Sequence, residues 1–235
     1  MILAVHQPQY IPWSGYFDKI MTSNGFVFLD QVQYKAREYQ NRNKICTKDG
    51  WMWLTVPVIS KGLGRQKISD IKVDNNGSWQ KDHWESLKSC YNKAPFFKAH
   101  YDFFADVYSA KWEKLAELNL HIIKHILKEL KIDTPLYYES ELNISGQKTD
   151  RIIEICQKLK ADTYLSGIGG KDYLEEEKFV KADIKLVYQN FVHPIYQQRY
   201  ALGKDSFLSN MSAVDLLFNE GENSVNVLRG AGGNV

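Results

Sequence analysis

The first 30 residues, MILAVHQPQYIPWSGYFDKIMTSNGFVFLD (residues 1–30), decide the fold class. The apolar run at residues 2–5 predicts a short buried strand that stops before Pro8, since proline cannot donate to a strand ladder. Apolar residues at helical spacing follow at residues 17–21, and residues 26–29 predict a second buried strand. A strand, a short helix and a strand in this order form a βαβ unit, whose strands pair in parallel. The opening therefore predicts an α/β fold with a mostly parallel, Rossmann-like sheet flanked by helices.

The middle third departs from this pattern. Two apolar stretches surround the Asp49-Gly50 turn and predict a β-hairpin, and the alternation over residues 67–73 predicts a third strand added to it. Ser78 is placed to cap a helix ending near residue 90, and residues 94–131 predict two more helices. We therefore expect one domain over residues 1–235, with a β-hairpin excursion over about 43–74 and a helical insertion over about 78–132.

Alternating strands and helices then resume. Residues 136–138, 163–165 and 184–188 predict strands, and residues 150–160 and 175–181 predict helices between them. A last helix is expected from Ser212, as its N-cap, to Gly221. In an open parallel sheet, ligands bind outside the carboxyl ends of the strands. The loops that follow the strands are therefore the candidate site.

Composition limits the function classes. The chain is 44% hydrophobic and 25% charged, with a formal net charge of +2, which is typical of a folded protein and argues against a nucleic-acid partner. Cys46, Cys90 and Cys156 have neither metal-ligand nor disulfide spacing, so we expect reduced structural thiols. The four apolar residues after Met1 are too few for a signal peptide or a membrane span, so a cytoplasmic location is expected.

Three loops hold the candidate site residues. In the first, His6 at a strand end is expected to act as a general base oriented by Asp30; the alternative is a hydrogen-bonded core histidine beside a rim of aromatic residues. In the second, Asp30 could orient His6, hold a ribose hydroxyl or simply end a strand, and Arg42 could clamp a phosphate or carboxylate, or be an ordinary surface arginine. The third is the glycine-rich turn at residues 166–173, which could hold a phosphate with Lys171 or be a plain tight turn; its spacing is neither that of a Walker loop nor Gly-x-Gly-x-x-Gly. The predicted catalytic residues are His6 and Asp30, and the predicted substrate-binding residues are Gln7, Gln9, Tyr10, Trp13, Tyr16, Lys19, Gln33, Tyr34, Asn41, Arg42, Ser166, Gly167, Gly170, Lys171 and Tyr173.

No metal site is predicted. His121 and His125 stand four residues apart on a predicted helix, but the isoleucines between and after them mark a core-facing helix. A serine-hydrolase site is also not indicated, because Ser166 lacks the Gly-x-Ser-x-Gly context.

The stretch His-Gln-Pro-Gln-Tyr-Ile-Pro-Trp-Ser-Gly-Tyr-Phe-Asp-Lys-Ile (residues 6–20) resembles the N-terminal signature of the WbqC-like proteins. Further segments agree in order along nearly the whole chain: residues 41–42, 54–58, 164–167, 208–209 and 212–218. The resemblance implies a role in making bacterial O-antigens and other surface glycans from nucleotide-linked sugars.

Amino sugars in such pathways are commonly N-acylated, so the expected activity is an N-acyl or aminoacyl transferase acting on a nucleotide-linked amino sugar. His6 would take the proton of the attacking amine. One alternative is a nucleotidyltransferase or ATP-dependent adenylating enzyme of the HIGH-motif class, although the second histidine of that motif is missing; another is a non-catalytic sugar-nucleotide-binding protein. We expect no tightly bound cofactor, acetyl-CoA or ATP as a possible cosubstrate, and a possible homodimer.

Overall fold

The computed structural model describes residues 1–200 and 206–231. Its centre is a five-stranded sheet in which every neighbouring pair is parallel. The strands are β1 (Ile2–His6), β2 (Gly25–Phe28), β7 (Leu136–Tyr138), β8 (Thr163–Ser166) and β9 (Lys185–Tyr188). The helices that alternate with them are α1 (Ser14–Met21), α5 (Glu139–Leu142), α6 (Lys148–Lys158) and α7 (Glu176–Lys181). The predicted Rossmann-like α/β architecture is confirmed.

The strand order across the sheet is β7-β2-β1-β8-β9. The chain first builds outward from β1 through β2 to β7, and then returns to the other side of β1 to place β8 and β9. The order therefore reverses between β1 and β8. Such a reversal is the topological switch point at which open α/β sheets bind their ligands.

Side-chain alternation along β1 divides the core between the two faces of the sheet. Leu3 and Val5 pack against α6 and α7 through residues such as Ile155 and Phe179. Ala4, between them, faces the larger cluster that contains α1 and the middle third of the chain. His6 belongs to this second face, where its ring meets Tyr16 of α1 edge-on, with ring centroids 5.0 Å apart. The period-two pattern thus directs His6 toward α1.

The middle third contains two small sheets and three helices. The predicted hairpin is present as β3 (Arg42–Thr47) and β4 (Gly50–Thr55). The predicted third strand over residues 67–73 is wrong in its extent and its partner: Ile68–Asp70 form a 3-10 turn, and the short strand β6 (Lys72–Val73) pairs with β5 (Val58–Ile59) rather than with the hairpin. The helical part comprises α2 (Trp79–Tyr91), a 3-10 turn at Phe97–His100, α3 (Tyr101–Ser109) and α4 (Leu115–Glu129).

Two helices close the described chain. α8 (Ala213–Glu220) has the predicted N-cap, because the Ser212 hydroxyl accepts the Val214 N–H, and α9 (Ser224–Ala231) follows. The buried Asp215 of α8 accepts hydrogen bonds from the Tyr91 and Tyr196 hydroxyls and the Gln198 amide. Among the described helices, none has both the length and the apolar character needed to cross a bilayer.

Candidate functional site at the switch point

The site begins where β1 and β8 separate. Their register runs from Ile2 to Ala4 on β1, whereas β1 stays paired with β2 as far as His6. The carbonyl of Val5 therefore lies beyond the last β8 partner, and it accepts a hydrogen bond from the Lys19 ammonium at 3.1 Å. A buried carbonyl needs a partner. α1 thus supplies a lysine exactly where the two strands part.

Two adjoining cavities fill this crevice. One, of about 270 Å³, lies toward the glycine-rich turn, and the other, of about 330 Å³, lies toward the loop that follows β9. Both are lined by His6, Lys19, Gly167 and Gly169. The predicted site residues in the first cavity are His6, Gln7, Lys19, Ser166, Gly167, Gly170 and Tyr173, and those in the second are His6, Trp13, Tyr16, Lys19 and Gly167. The structure therefore joins the first and third predicted loops around one space.

His6 is neutral in this environment. Burial, and secondly the nearby charge of Lys19, lower the pKa of the imidazole to about 3. Its Nδ1 lies 3.1 Å from the carbonyl of Gln7, which can only accept, so Nδ1 holds the proton. Nε2 consequently has the lone pair, which is the form that a general base requires.

Lys19 is the main electrostatic feature of the crevice. The residue is only 2% exposed, and burial lowers the pKa of its ammonium to about 7. Within residues 1–200 and 206–231, the only hydrogen bond of the Lys19 ammonium is the one to the Val5 carbonyl, and the ammonium forms no ion pair. Buried charges are normally paired. An unpaired ammonium on a cavity wall is suited to an anionic ligand.

Glycine is required at two positions beside the cavities. A Cβ on Gly170 would collide with the Ser166 hydroxyl and lie 2.9 Å from Leu174, so this turn can only close tightly against β8 without a side chain. A Cβ on Gly15 would collide with the Trp13 ring, which lies against the first turn of α1. The Trp13 ring also contacts Phe191 edge-on at 5.3 Å. An aromatic wall therefore covers the start of α1.

The segment after β9 was not predicted to belong to the site. Gln189, Asn190 and Phe191 line the second cavity, and the Gln189 amide donates to the Gly15 carbonyl at 2.8 Å and to the Asp18 carboxylate at 2.6 Å. This segment thus ties the end of β9 to the first turn of α1. The sequence did offer a signal, because the polar residues Gln189 and Asn190 directly follow the predicted strand at residues 184–188. The same signal, a polar residue at a strand end, identified His6.

The predicted pairing of His6 with Asp30 is wrong. Asp30 does follow the neighbouring strand β2, but its carboxylate accepts the backbone N–H of Ser140 at 3.0 Å, at the start of α5. The reason is the strand order, since β2 lies between β1 and β7 and Asp30 faces β7. There the buried Glu139 accepts the Gln31 N–H and pairs with Arg151. Asp30 belongs to this structural network.

The second predicted loop also lies outside the crevice. The Arg42 guanidinium is 4.2 Å from the centre of the Trp53 ring and donates to the Arg37 carbonyl. Asn41 donates to the Val56 carbonyl at 2.8 Å, so it fastens the hairpin. The side chains of Asn41 and Arg42 therefore stabilise the fold around the hairpin. Of the described candidates, those that line neither cavity are Gln9, Tyr10, Asp30, Gln33, Tyr34, Asn41, Arg42 and Lys171.

Two of these exceptions have clear structural roles. Tyr10 is fully buried, and its hydroxyl bonds to His83 at 2.8 Å and to Tyr108 at 2.6 Å, which joins the first loop to the helical insertion. Lys171 points its ammonium at the Tyr188 ring, 5.1 Å from the ring centre. The cation of the crevice is therefore Lys19, rather than the lysine of the glycine-rich turn.

Comparison with known proteins identifies the family of the chain. The model of the WbqC-like protein family matches residues 7–227. The chain belongs to the WbqC-like protein family. The chain is also similar to the uncharacterized protein Rv1507c of Mycobacterium tuberculosis (strain ATCC 25618 / H37Rv), to which it is 34% identical over 229 residues, covering 97% of each chain. No solved structure matches this WbqC-like chain.

The matched segment contains every element that builds the crevice except β1. It begins in the loop between β1 and α1, and it ends within α9. The WbqC-like match therefore includes the helical insertion, the loop after β9 and the other four strands of the sheet. The suspected family membership is confirmed.

Proposed function

We propose that the chain is a bacterial surface-glycan enzyme that binds a nucleotide-linked amino sugar at the switch point and acylates its amine. The observation that supports this most is that a neutral His6 and a buried Lys19 without a counter-charge both line the two cavities. Lys19 would meet the anionic diphosphate, and His6 would handle the proton of the amine.

The phosphate groups fit beside Lys19 for two reasons. The ammonium has a carbonyl as its partner, so a ligand anion would be its first counter-charge. Gly167 and Gly169 lie on the same walls without side chains, so backbone groups of the turn can approach a phosphate closely. The nucleotide would thus lie at the topological switch point, where open α/β sheets bind their ligands.

The acyl-transfer step assigns the proton to His6. The amine nitrogen attacks the carbonyl carbon of an acyl donor such as acetyl-CoA, and Nε2 of His6 accepts the proton that the amine loses. A carbon–nitrogen bond forms, the carbon–sulfur bond of the thioester breaks, and the thiolate leaves and takes up that proton. A bound diphosphate would offset the charge of Lys19, which is one cause of the low pKa of His6. Phosphate binding would therefore prepare His6 as a base.

A second candidate is nucleotidyl transfer or adenylation with ATP. The observation that favours it is the position of His6 at the end of the central strand, in the same cavity as the glycine-rich turn. In this reading Lys19 would stabilise the charge that develops on the phosphate. The Trp13 ring over Gly15 argues against this reading, because it covers the first turn of α1, where such enzymes hold phosphate.

Mass spectrometry of reaction mixtures tests the proposal. The purified chain is incubated with a panel of nucleotide-linked amino sugars and with either acetyl-CoA or ATP plus amino acids. We expect an acyl mass gain on the sugar that is lost in His6→Gln and Lys19→Met. Lys171→Met is the matched control, because Lys171 lies on the adjacent turn but lines neither cavity; it should keep the activity.

Other outcomes have defined meanings. Release of pyrophosphate or AMP without acylation would favour adenylation. Binding of the sugar nucleotide without any turnover would contradict the acyl-transfer proposal and favour a non-catalytic binding protein. The expected cytoplasmic location and homodimer stay predictions.

A further inference from the structure

A second polar cluster lies in the helical insertion. Its members are His100, at the end of the 3-10 turn before α3, and His125 and Glu129, which stand one turn apart on α4. One ligand atom from each of the three residues lies within 4.8 Å of the others. None of the three lines either cavity of the switch point. The cluster is therefore independent of the proposed catalytic site.

Two nitrogen atoms of this cluster are buried without partners. His100 is only 4% exposed, and its Nδ1 has no hydrogen bond within the described chain. The Nε2 of His125 is also buried and has no hydrogen bond within the described chain. A buried polar atom without a partner is costly and needs an explanation. The Glu129 carboxylate does not provide the partner, because its oxygen lies 3.9 Å from His100 Nδ1, beyond hydrogen-bond length.

We propose that His100, His125 and Glu129 bind a divalent transition-metal cation of the zinc class. Two imidazole nitrogens and one carboxylate oxygen are a common zinc ligand set, and they leave the fourth tetrahedral position open to water. Magnesium and calcium are disfavoured, because they prefer sets made of oxygen alone. A shift of about 1 Å would bring these atoms to the spacing that zinc–nitrogen bonds of about 2.0 Å require.

The surroundings are consistent with metal binding. Burial is the main cause that lowers the pKa of both histidines, that of His125 to about 4, so both imidazoles are neutral as ligation requires. The His125 ring is stacked on Phe103, with centroids 3.5 Å apart, which fixes its orientation. The Glu129 side chain is 34% exposed, so a cation can enter from solvent on that side. The bound metal would join the start of α3 to α4.

Zinc titration of the untagged, chelator-stripped full-length chain tests the site. Calorimetry with ZnCl2 should give one zinc per chain, and zinc should raise the Tm. Loss of a group that hydrogen-bonds a metal ligand lowers metal affinity roughly 10- to 100-fold. His125→Gln and Glu129→Gln remove a ligand itself, so each should weaken zinc binding by more than that. Substituting cobalt should give visible absorption bands in the wild type that both variants lose.

The matched control is His121→Gln. His121 lies one turn before His125 on α4 and stacks on the same Phe103, but it is exposed and outside the cluster. It should bind zinc like the wild type. Far-ultraviolet circular dichroism identifies any variant that fails to fold, and Glu129→Gln changes a partly exposed carboxylate with little risk to folding. Absence of stoichiometric zinc, equal affinity in Glu129→Gln, or equal loss in His121→Gln would overturn the proposal.

Discussion

Replacing Lys19 with methionine should make the protein more stable while abolishing its proposed ligand binding. Burial lowers the pKa of Lys19 from 10.5 to about 7. Since each pKa unit corresponds to about 1.4 kcal/mol, keeping the ammonium charged costs the fold about 5 kcal/mol below pH 7. The variant also loses the hydrogen bond to Val5, worth about 1 kcal/mol. We therefore expect Lys19→Met to be more stable than the wild type by about 3 to 4 kcal/mol near pH 6.

The pH dependence has a defined sign. Above about pH 7 the folded lysine has released its proton while the unfolded lysine keeps it up to 10.5, so the wild type gains stability as pH rises. The advantage of the variant should shrink by about 2 to 3 kcal/mol between pH 7 and pH 9. Urea unfolding followed by tryptophan fluorescence measures both free energies of unfolding. A difference in the free energy of unfolding that does not change with pH, or a variant that is less stable than the wild type at both pH 7 and pH 9, would refute the reasoning.

Three further predictions follow from the same structure. Gly170→Ala should displace the Ser166 hydroxyl and lower the Tm, whereas Gly169→Ala, whose Cβ meets nothing within 4 Å, should keep the wild-type Tm; thermal melts measure this pair. Between about pH 6.5 and pH 3, the unfolded wild type binds a proton at His6 that the folded form does not, so the wild type loses stability as the pH falls. His6→Gln should lose less stability over this range, as measured by urea unfolding midpoints. Asp30→Ala should cost stability, about 1 kcal/mol, with the KM unchanged; a KM effect equal to that of His6→Gln would argue for a direct role in binding.

The sequence was informative where local pattern decides the structure. The apolar run of β1, the helical spacing of α1 and the Asp49-Gly50 turn were enough to predict these elements. His6 and the glycine-rich turn were predicted as a site because parallel strands end at one edge of the sheet. The 3-10 turn at Ile68–Asp70 was missed because its alternating residues mimic a strand.

The rest depended on information that is not local. A βαβ unit places β2 beside β1, but it does not reveal that β7 and β8 lie on opposite sides of this pair. For that reason Asp30 was assigned to His6 although it serves α5. Similarly, Lys19 was predicted only as one of many contacts, because its burial beside Val5 depends on where β8 leaves β1. The partners of Arg42 and Tyr10 depend on how the hairpin and the helical insertion fold back.

The central claim is that Lys19 at the switch point binds the phosphate groups of a nucleotide. Isothermal titration calorimetry with a nucleoside diphosphate tests this most directly, with wild type, Lys19→Met and Lys171→Met compared at low salt near pH 7. The account predicts that the wild type and Lys171→Met bind with the same affinity and that Lys19→Met, which remains folded, does not bind. Unchanged binding in Lys19→Met, or its loss in Lys171→Met alone, would contradict the account.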